Sequence, residues 1–350
     1  MWSIGGARST SRAIVGAVVA AVVMGLAAGA PAQPRLAVLG FAMPTTPPNL
    51  VHIPPWIAQE TGIFARHGIE AHILTMEAGP SVLRALIGGG GEVQIGAPGV
   101  PPFIAALARG ADLRAIYTYA MKHPVSMVVQ PDVHRCEDLR GKKLGTPGGV
   151  GGYIEVMTRA VLQSCGLGPR DVQYINISTG ARVPALLSGQ LDGMVLHADQ
   201  VYEVIKQKRS LHVLASLSTV LPRGWYAAYV TTGSFIRAEP KLLEQAVEAL
   251  VEANRFIYQN RERTIQIGVK YTKFDADIVT KAYDALTAQG VWPVNEGLHR
   301  NLVEAGLDTE IRVGNITPDI RPTYDQAVQL GFIQAAMTHL GRWSGDPRWY

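Results

Sequence analysis

The chain has 350 residues, of which 47% are hydrophobic and 17% are charged, and its 32 basic and 28 acidic residues leave a net charge of +4. A chain of this length can bury a large core and favours two domains. The basic residues are scattered rather than clustered, which excludes a stripe for nucleic acid and a polybasic patch for membranes.

The amino-terminal segment has the pattern of a removable export signal. Arg8 and Arg12 form a positive start, residues 13–30 are apolar and uncharged, and an Ala-Pro-Ala sequence ending at Ala32 supplies the small residues of a cleavage site. An uncleaved membrane anchor is the alternative, because the apolar run approaches the length that spans a bilayer. The sequence predicts a signal peptide at residues 1–32, cleaved after Ala32, and a periplasmic mature protein.

Predicted strands and helices alternate through the first part of the mature chain. Apolar runs bounded by Gly, Pro and polar residues indicate strands, and helical periodicity indicates helices. The predicted strands are Arg35–Phe41, Ile69–Thr75, Glu92–Ile95, Leu113–Tyr119 and Val125–Val129. The predicted helices are Val51–Gly62, Ser81–Ile87 and Pro102–Arg109. A β-α-β order of this kind predicts a parallel sheet, and such sheets bind ligands outside the carboxyl ends of their strands.

A second alternating unit follows, and the chain then becomes mostly helical. Its predicted strands are Lys143–Thr146, Asp171–Ile175, Gly193–Leu196, Leu211–Ser216 and Trp225–Thr231. Its predicted helices, with those of the tail, are Tyr153–Ser164, Arg182–Leu187, Val201–Lys206, Lys241–Asn260, Arg263–Tyr271, Ala276–Thr287 and Tyr324–Gly341. A weak repeat relates residues 84–96 to residues 184–195, since each segment reads as a helix end, a Gly turn and a short strand. The spacing of about 100 residues predicts two similar α/β lobes rather than a solenoid.

The two cysteines are predicted to form a disulfide. Cys136 precedes a predicted strand and Cys165 ends the helix that follows it. A helix after a parallel strand returns the chain to the side where the strand began, so both thiols are expected at one edge of the sheet. Exported chains also favour paired thiols. Two buried, unpaired cysteines are the alternative, and the pair has no neighbouring histidines that would indicate a metal site.

Three phrases, in order along the chain, carry a family resemblance. Residues 58–69 read Ala-Gln-Glu-Thr-Gly-Ile-Phe-Ala-Arg-His-Gly-Ile, residues 138–142 read Asp-Leu-Arg-Gly-Lys, and residues 185–192 read Ala-Leu-Leu-Ser-Gly-Gln-Leu-Asp. Together they resemble the periplasmic substrate-binding proteins of ABC importers in the nitrate/sulfonate/taurine group. The chain departs from that group at the Gly88–Gly91 turn and at Gln94, where an Asp is common.

The resemblance implies an α/β, two-lobed periplasmic binding protein of type II. Each lobe would be a mainly parallel sheet flanked by helices, with two hinge strands near Tyr119–Val125 and Trp225–Tyr229. Residues 33–120 plus 225–350 would form the first lobe, and residues 121–224 the second. The family's partners would be a small-molecule ligand and the ABC permease and ATPase subunits of the inner membrane, with the binding protein a monomer and no cofactor or metal.

Loops at the strand ends of the first lobe are ligand candidates. Thr45 and Thr46 follow the first strand and can donate hydroxyl groups, although a plain Pro-rich surface loop explains them equally well. Trp56 can cover a ligand, but a helix Trp more often packs in a core. Pro98 and Gly99 lie in a turn at a strand end, where backbone N–H groups can be exposed or can serve only the turn.

The Gly-rich turn before the helix at Tyr153 is a candidate anion site. The N–H groups of Gly149, Gly151 and Gly152, with the positive end of the helix dipole, suit a carboxylate, sulfonate or phosphate. Tyr153 can flank the anion, and Thr179 follows another strand in a similar arrangement. A flexible turn is the alternative, and the glycine spacing matches no nucleotide-binding motif.

Four further candidates lie beside the last strands of the sheets. His197 follows a strand and can bind a ligand, although a lone His is more often structural. Asp199 can contact a ligand or cap the next helix. Trp225 and Tyr226 lie at the second hinge, where they can stack on a flat substrate or fill the hinge core. The aromatic supply at these positions favours a small organic anion over nitrate.

Two other classes of function stay open. A pyrimidine-forming enzyme of thiamin biosynthesis resembles the same family, but it carries a Cys-rich motif and a His that enters the reaction, whereas this chain has only two distant cysteines. We therefore expect no catalytic residue. An extracytoplasmic sensor subunit that passes ligand occupancy to a membrane partner is the other alternative. A non-catalytic solute receptor remains the main prediction.

Overall fold

The computed structural model describes residues 1–2, 35–88 and 90–344. The predicted signal peptide lies outside the described residues, apart from its first two. The chain separates into two units, residues 1–35 and 36–350, and every helix and strand given below lies in the second. Among the described residues, no helix combines the length and the apolar character that a membrane crossing requires.

Ten strands in the described residues form two sheets of five. The strands are β1 (Ala37–Met43), β2 (Ile69–Thr75), β3 (Ile95–Gly96), β4 (Leu113–Ala120), β5 (Val125–Val129), β6 (Lys143–Gly145), β7 (Gln173–Ile175), β8 (Gly193–His197), β9 (His212–Ser216) and β10 (Ala227–Thr232). The first sheet has the order β2-β1-β3-β10-β4 and the second has the order β7-β6-β8-β5-β9. We call the halves of the molecule built on these sheets the first lobe and the second lobe.

Each sheet is mainly parallel, with one antiparallel strand. In the first sheet β10 runs antiparallel to both of its neighbours, β3 and β4. In the second sheet β5 runs antiparallel to β8 and β9. Each antiparallel strand is the first one that the chain forms after it crosses from the other lobe. The two crossings, through residues 121–124 and residues 217–226, therefore tie each sheet to its partner.

Helices cover both sheets. Those in the described residues are α1 (Pro54–Glu60), α2 (Ile63–Arg66), α3 (Gly79–Gly88), α4 (Val100–Ala108), α5 (Tyr153–Ser164), α6 (Arg182–Leu187), α7 (Ala198–Gln207), α8 (Leu217–Val220), α9 (Gly233–Ala238), α10 (Pro240–Gln259), α11 (Arg261–Thr272), α12 (Ala276–Gln289), α13 (Arg300–Arg312), α14 (Tyr324–Ala327) and α15 (Gly331–Leu340). A short 3₁₀ turn, Leu50–His52, precedes α1.

Each sheet is packed into a hydrophobic core of its own. In the first lobe, Phe41 and Tyr117 are fully buried with helix residues such as Leu250. In the second lobe, Val128 and Val161 are fully buried. Full burial of such an aliphatic or aromatic side chain contributes about 1.5–3 kcal/mol. The lobe boundaries expected above stay a prediction.

Two predicted helices differ from the structure, and one long observed helix was not predicted. The segment predicted as one helix from Val51 is a 3₁₀ turn followed by α1 and α2, which are separated at Gly62, where φ is +70°. The prediction of one continuous helix from Tyr324 to Gly341 is wrong: the chain leaves the helix after α14, and Val328 pairs with Ala115 at the edge of the first sheet. Helix α13 was not predicted.

The predicted disulfide between Cys136 and Cys165 is present. It joins the 3₁₀ turn at Cys136–Leu139, just before β6, to the carboxyl end of α5. Both sulfur atoms lie beside the second core. The pairing therefore closes the β6–α5 unit at one edge of the second sheet.

We expect the Cys136→Ser/Cys165→Ser double variant to be less stable. The bridge closes a loop with a sequence separation of 29. In the chain-entropy model, losing such a bridge lowers the free energy of unfolding by about 3 kcal/mol. Urea unfolding measures this difference, and wild-type protein under reducing conditions is the control that should fall to the same value. An unchanged midpoint and slope in the double variant would contradict the expectation.

Candidate functional site

The carboxyl ends of the parallel strands in the two sheets face one another. The loop after β1 contacts the loop after β8 through Asn49 and Asp199. The loop after β2 contacts the loop after β7 through Glu77 and Thr179. The loop after β3 meets the start of α5, where Gly99 lies against the Tyr153 ring. Strand ends from both lobes therefore enclose one shared region.

Asp199 makes the most buried of these contacts between lobes. Its carboxylate accepts hydrogen bonds from the Asn49 side-chain amide at 2.9 Å and from the Leu50 backbone N–H at 2.7 Å. The backbone N–H of Gln200, in the same lobe, adds a bond of 2.9 Å. Burial raises the pKa of Asp199, and these donors act in the opposite direction. A carboxylate of the second lobe thus binds the start of a 3₁₀ turn in the first.

Glu77 makes a matching contact in the other direction. Its carboxylate accepts a hydrogen bond of 2.8 Å from the Thr179 backbone N–H. The Thr179 hydroxyl donates to the Thr46 carbonyl oxygen at 3.0 Å, and the Thr46 N–H reaches the same hydroxyl at 3.2 Å. Here a carboxylate of the first lobe binds a backbone donor of the second. Each lobe thus supplies one carboxylate that binds a backbone N–H of the other lobe.

A cavity of about 30 Å³ lies between the lobes. Its lining consists of small, aromatic and histidine side chains and one arginine. The lining residues are Pro44, Thr45, His52, Ala78, Gly79, Pro98, Gly99, Tyr119, Pro147, Tyr153, Ile154, Thr179, Arg182, His197 and Tyr226. This set contains no Asp, Glu or Lys. Among the described residues, no group of three or more His, Cys, Asp and Glu is arranged to hold a metal ion.

Arg182 begins α6, and its side chain is 1% exposed. Its Nε–H donates to the Thr179 carbonyl oxygen at 2.9 Å, and its Nη2 donates to Asn49 Oδ1 at 3.1 Å. Its Nη1 lies 3.3 Å from Nδ1 of His197. No carboxylate among the described residues lies within ion-pair distance of it. Burial lowers the pKa of Arg182 to about 10, which leaves the side chain charged at neutral pH.

A directed chain of hydrogen bonds, which we call the relay, runs from Arg182 across the cleft. Arginine can only donate, so Nδ1 of His197 must accept and its Nε2 must carry the proton. That Nε2 lies 2.9 Å from the Tyr226 hydroxyl, which in turn lies 2.9 Å from Nε2 of His52. The relay ends at Thr45, whose hydroxyl lies 3.1 Å from Nδ1 of His52. The network assigns one tautomer to each ring.

Both relay histidines are held neutral by their surroundings. Burial, with Arg182 nearby, lowers the pKa of His52 to about 3. Burial, His52 and Arg182 lower the pKa of His197 well below its usual value. A second proton on either ring would place two donors face to face in the relay. Neutral histidines are therefore a condition of the closed arrangement.

A second pair of rings closes the hinge side of the cavity. The Tyr153 hydroxyl lies 2.9 Å from Nδ1 of His123, which belongs to the first crossing between the lobes. The Tyr153 ring also meets the Tyr226 ring edge-on, with centroids 4.8 Å apart. Burial lowers the pKa of His123 to about 3. Aromatic side chains from both lobes thus pack around Tyr226.

The structure brings half of the sequence-predicted site residues to the cavity. Those that line it are Thr45, Pro98, Gly99, Tyr153, Thr179, His197 and Tyr226. Thr46 and Asp199 lie at contacts between the lobes instead. They reach the opposite lobe through the hydrogen bonds described above.

The remaining predicted residues lie away from the cavity lining. Trp56 packs in the first core with its ring 5.6 Å from that of Tyr271. Trp225 packs against Phe103 and donates to the Thr118 hydroxyl. The other three, in the Gly-rich turn, are Gly149, Gly151 and Gly152.

All three candidate N–H groups of the Gly-rich turn already have partners within the second lobe, and that of Gly149 donates to the Thr146 carbonyl oxygen at 3.2 Å. Gly151 N–H donates to the Glu155 carboxylate at 3.0 Å, and Gly152 N–H donates to the Gly149 carbonyl oxygen at 3.2 Å. The anion site expected at this turn stays a prediction, and these three N–H groups are already engaged within the second lobe.

Sequence reasoning missed Arg182, Asn49, His52, Tyr119 and Glu77. A signal was available for most of them, because they lie in or next to strand-end loops. Arg182 is the charged first residue of the otherwise apolar helix Arg-Val-Pro-Ala-Leu-Leu, three positions after a predicted site residue. Asn49 and His52 directly follow the Pro-rich loop, of which only the threonines were predicted as ligand-binding residues.

Comparisons with known proteins agree with this architecture. The family model described as NMT1/THI5 like matches residues 49–264, more than half of the chain. A provisionally named binding protein of Brucella abortus (strain 2308) is 26% identical over 228 residues, which cover 65% of this chain and 70% of that protein. The 4-amino-5-hydroxymethyl-2-methylpyrimidine phosphate synthase of Schizosaccharomyces pombe is 30% identical over 146 residues, which cover 41% of this chain and 40% of the enzyme.

A solved structure shares the fold. The alkanesulfonate-binding protein SsuA from Xanthomonas axonopodis pv. citri, bound to MOPS, matches with a TM-score of 0.66 and 18% identity, covering 86% of this chain and 97% of that chain. The two-lobed α/β fold expected from the sequence is thereby confirmed. At this identity the likeness concerns the fold alone.

We expect His52→Gln to weaken the pH dependence of stability. The pKa of His52 is about 3 in the folded protein, and the unfolded chain has the ordinary value near 6.5. Between these values the unfolded chain binds the extra proton, so stability falls as the pH falls from 6.5 towards 3 and is unaffected by this group at higher pH. Removing His52 should reduce the slope by up to about 1.4 kcal/mol per pH unit.

Urea unfolding of wild type, His52→Gln and the exposed-site control His72→Gln between pH 4 and pH 8 measures this slope. The comparison of variants is needed because Glu310, whose pKa burial raises to about 8, acts with the opposite sign between its unfolded and folded pKa values. Equal slopes in all three proteins would refute the neutral, buried state of His52.

Proposed function

This chain belongs to the NMT1/THI5-like family, and we propose that it is the extracytoplasmic solute-binding component of an ABC importer. In this proposal it captures a small organic anion, such as a sulfonate or carboxylate, between its two lobes. The lobes close on the solute by hinge motion, and a membrane permease reads the closed form.

The buried charge of Arg182 carries the proposal. A guanidinium in a desolvated site is costly unless an anion or a full set of acceptors faces it. Three of its contacts use one N–H each on Nε, Nη1 and Nη2, and a guanidinium has five N–H groups. One N–H on each terminal nitrogen is left, and the N–H groups of a guanidinium can pair with the two oxygens of a carboxylate or sulfonate.

The rest of the lining suits the same ligand class. Burial, with Arg182 nearby, keeps His52 and His197 neutral, so Arg182 is the one full charge among the residues that line the cavity. Tyrosine and proline side chains supply apolar surface for the organic part of a solute. A lining with one positive charge and apolar walls favours a monoanion over a cation or a neutral sugar.

The size of the cavity supports entry through an open form. Ligand sites of drug-sized molecules have volumes of about 300–1,000 Å³, whereas this cavity measures about 30 Å³. A solute larger than a few atoms must enter while the lobes are apart. Rotation at the two crossings, residues 121–124 and 217–226, would move the lobes apart. With the boundaries proposed from the sequence, the first lobe is residues 33–120 with 225–350 and the second is residues 121–224.

The relatives support the importer context. The Xanthomonas protein that shares the fold is named for alkanesulfonate binding, and the Brucella protein is named as a binding protein. We extend to this chain a periplasmic location after signal cleavage, partnership with permease and ATPase subunits, and a monomeric state. A sensor subunit would use the same solute site, and neighbouring permease and ATPase genes would favour the importer.

The likeness to the pyrimidine phosphate synthase keeps an enzyme as the second candidate. That likeness covers 41% of this chain. The sequence resemblance attributes a Cys-rich motif to the thiamin enzyme, whereas both cysteines here are joined in a disulfide and lie outside the cavity lining. We therefore propose a binding protein without catalytic activity. Chemical change in a bound pyrimidine during prolonged incubation would instead support the enzyme.

We expect an organic anion to bind wild type and to bind Arg182→Gln at least about 100-fold more weakly. Hydrogen bonds to charged groups contribute about 1.5–3 kcal/mol each, and the substitution removes two of them together with the charge. Arg182→Lys keeps the charge without the fork and should lose about tenfold. Thermal shift followed by calorimetry, with ethanesulfonate, taurine, benzoate, nitrate, a pyrimidine, choline and glucose, measures these affinities.

Arg209→Gln is the matched control, because Arg209 is an exposed arginine of the same lobe. It should retain the wild-type affinity. Binding of choline or glucose alone, or an anion affinity that Arg182→Gln does not alter, would defeat the proposed function.

A further inference from the structure

Asn49 lies between two buried charged residues of the second lobe, Arg182 and Asp199. Its Oδ1 accepts a hydrogen bond of 3.1 Å from Arg182 Nη2, and its Nδ2 donates a hydrogen bond of 2.9 Å to Asp199 Oδ1. The orientation of the amide is forced, because a guanidinium can only donate and an ionised carboxylate can only accept. Asn49 itself is 1% exposed and belongs to the first lobe.

The charges that Asn49 separates lie at the starts of two helices of one lobe. Arg182 begins α6 after β7, and Asp199 lies in the first turn of α7 after β8. They attract each other, since each shifts the pKa of the other. No ion pair of 4.0 Å or less joins them in the described part of the chain. The amide of the opposite lobe bridges them instead.

We propose that Asn49 is a positioning residue that keeps Asp199 from pairing with Arg182, so that lobe closure makes the arginine available to an anion. This role rests on the proposed function, because it concerns the same solute site. When the lobes separate, Asn49 leaves, and the arginine and the carboxylate of the second lobe can turn towards each other. Closure and anion affinity are then coupled through one side chain.

The ligand-free protein tests this role through the pKa of Asp199, measured by carbon-detected NMR titration. The groups that face this carboxylate are Asn49, the backbone N–H groups of Leu50 and Gln200, and Arg182. If Asn49→Ala only removed a hydrogen bond, the pKa of Asp199 would rise. If Asp199 pairs with Arg182, its pKa falls, and the fall disappears in Asn49→Ala/Arg182→Gln.

The double variant is required because opening of the cleft would also lower this pKa by hydration. A fall that persists without Arg182, or a rise in Asn49→Ala, overturns the proposal. Asn301→Ala, at an exposed site on α13, is the control that leaves the pKa of Asp199 at its wild-type value. If Asn49→Ala does not fold, Asn49→Ser, which lacks the amide bridge, is titrated in its place.

An affinity cycle gives an independent test with ethanesulfonate as the probe. Asn49→Ala should weaken binding more than tenfold in the wild-type background and less than threefold in the Asp199→Asn background, where no carboxylate competes for the arginine. Equal losses in both backgrounds overturn the role of Asn49. If wild type binds no anion at all, the proposed function fails, while the titration of Asp199 still decides what Asn49 does.

Discussion

The organisation of the cleft depends on a guanidinium that is buried without a carboxylate in direct contact. Desolvation penalises the charge of Arg182, yet its pKa of about 10 keeps it charged at neutral pH. The guanidinium donates hydrogen bonds to three neutral acceptors: a carbonyl oxygen, an amide oxygen and a histidine nitrogen. Because none of these removes the charge, the site retains a net attraction for an anion.

The same constraint helps to explain why the histidines that line the cavity are neutral. A lone positive charge disfavours a second one nearby, and burial adds to that effect for both His52 and His197. The arginine therefore sets the direction of the relay, and the relay crosses the cleft through Tyr226. The second lobe's cation and the first lobe's polar loop therefore belong to one hydrogen-bond network.

Local sequence pattern was sufficient to predict much of the fold. It was insufficient for segments whose structure depends on contacts with residues distant in sequence. The bounds of β2, β5, α5 and α6 follow directly from β-branched runs or helical periodicity. Helix α13, which was not predicted, has Gly306 in its middle, where an added Cβ would lie 2.9 Å from Trp225 Cβ. The predicted helix from Tyr324 ends early because Gln329 N–H bonds to Ala115 in the first sheet. Both pairs of residues are more than 80 positions apart in sequence.

The candidate site likewise has a part that local sequence pattern predicts and a part that depends on distant contacts. The rule that ligands meet the carboxyl ends of parallel strands selects loops, and six of the residues it selected line the cavity, whereas Tyr226 was selected at the hinge. The rule does not say which polar side chain stays charged where the lobes meet, because the charge depends on partners that are distant in sequence. Asn49 is 133 residues from Arg182 and 150 residues from Asp199. A carboxylate-rich loop facing Arg182 would have made the same strand ends a structural ion pair. An amide at position 49 of the opposite lobe leaves Arg182 without an ion-pair partner, whereas a carboxylate there would pair with it.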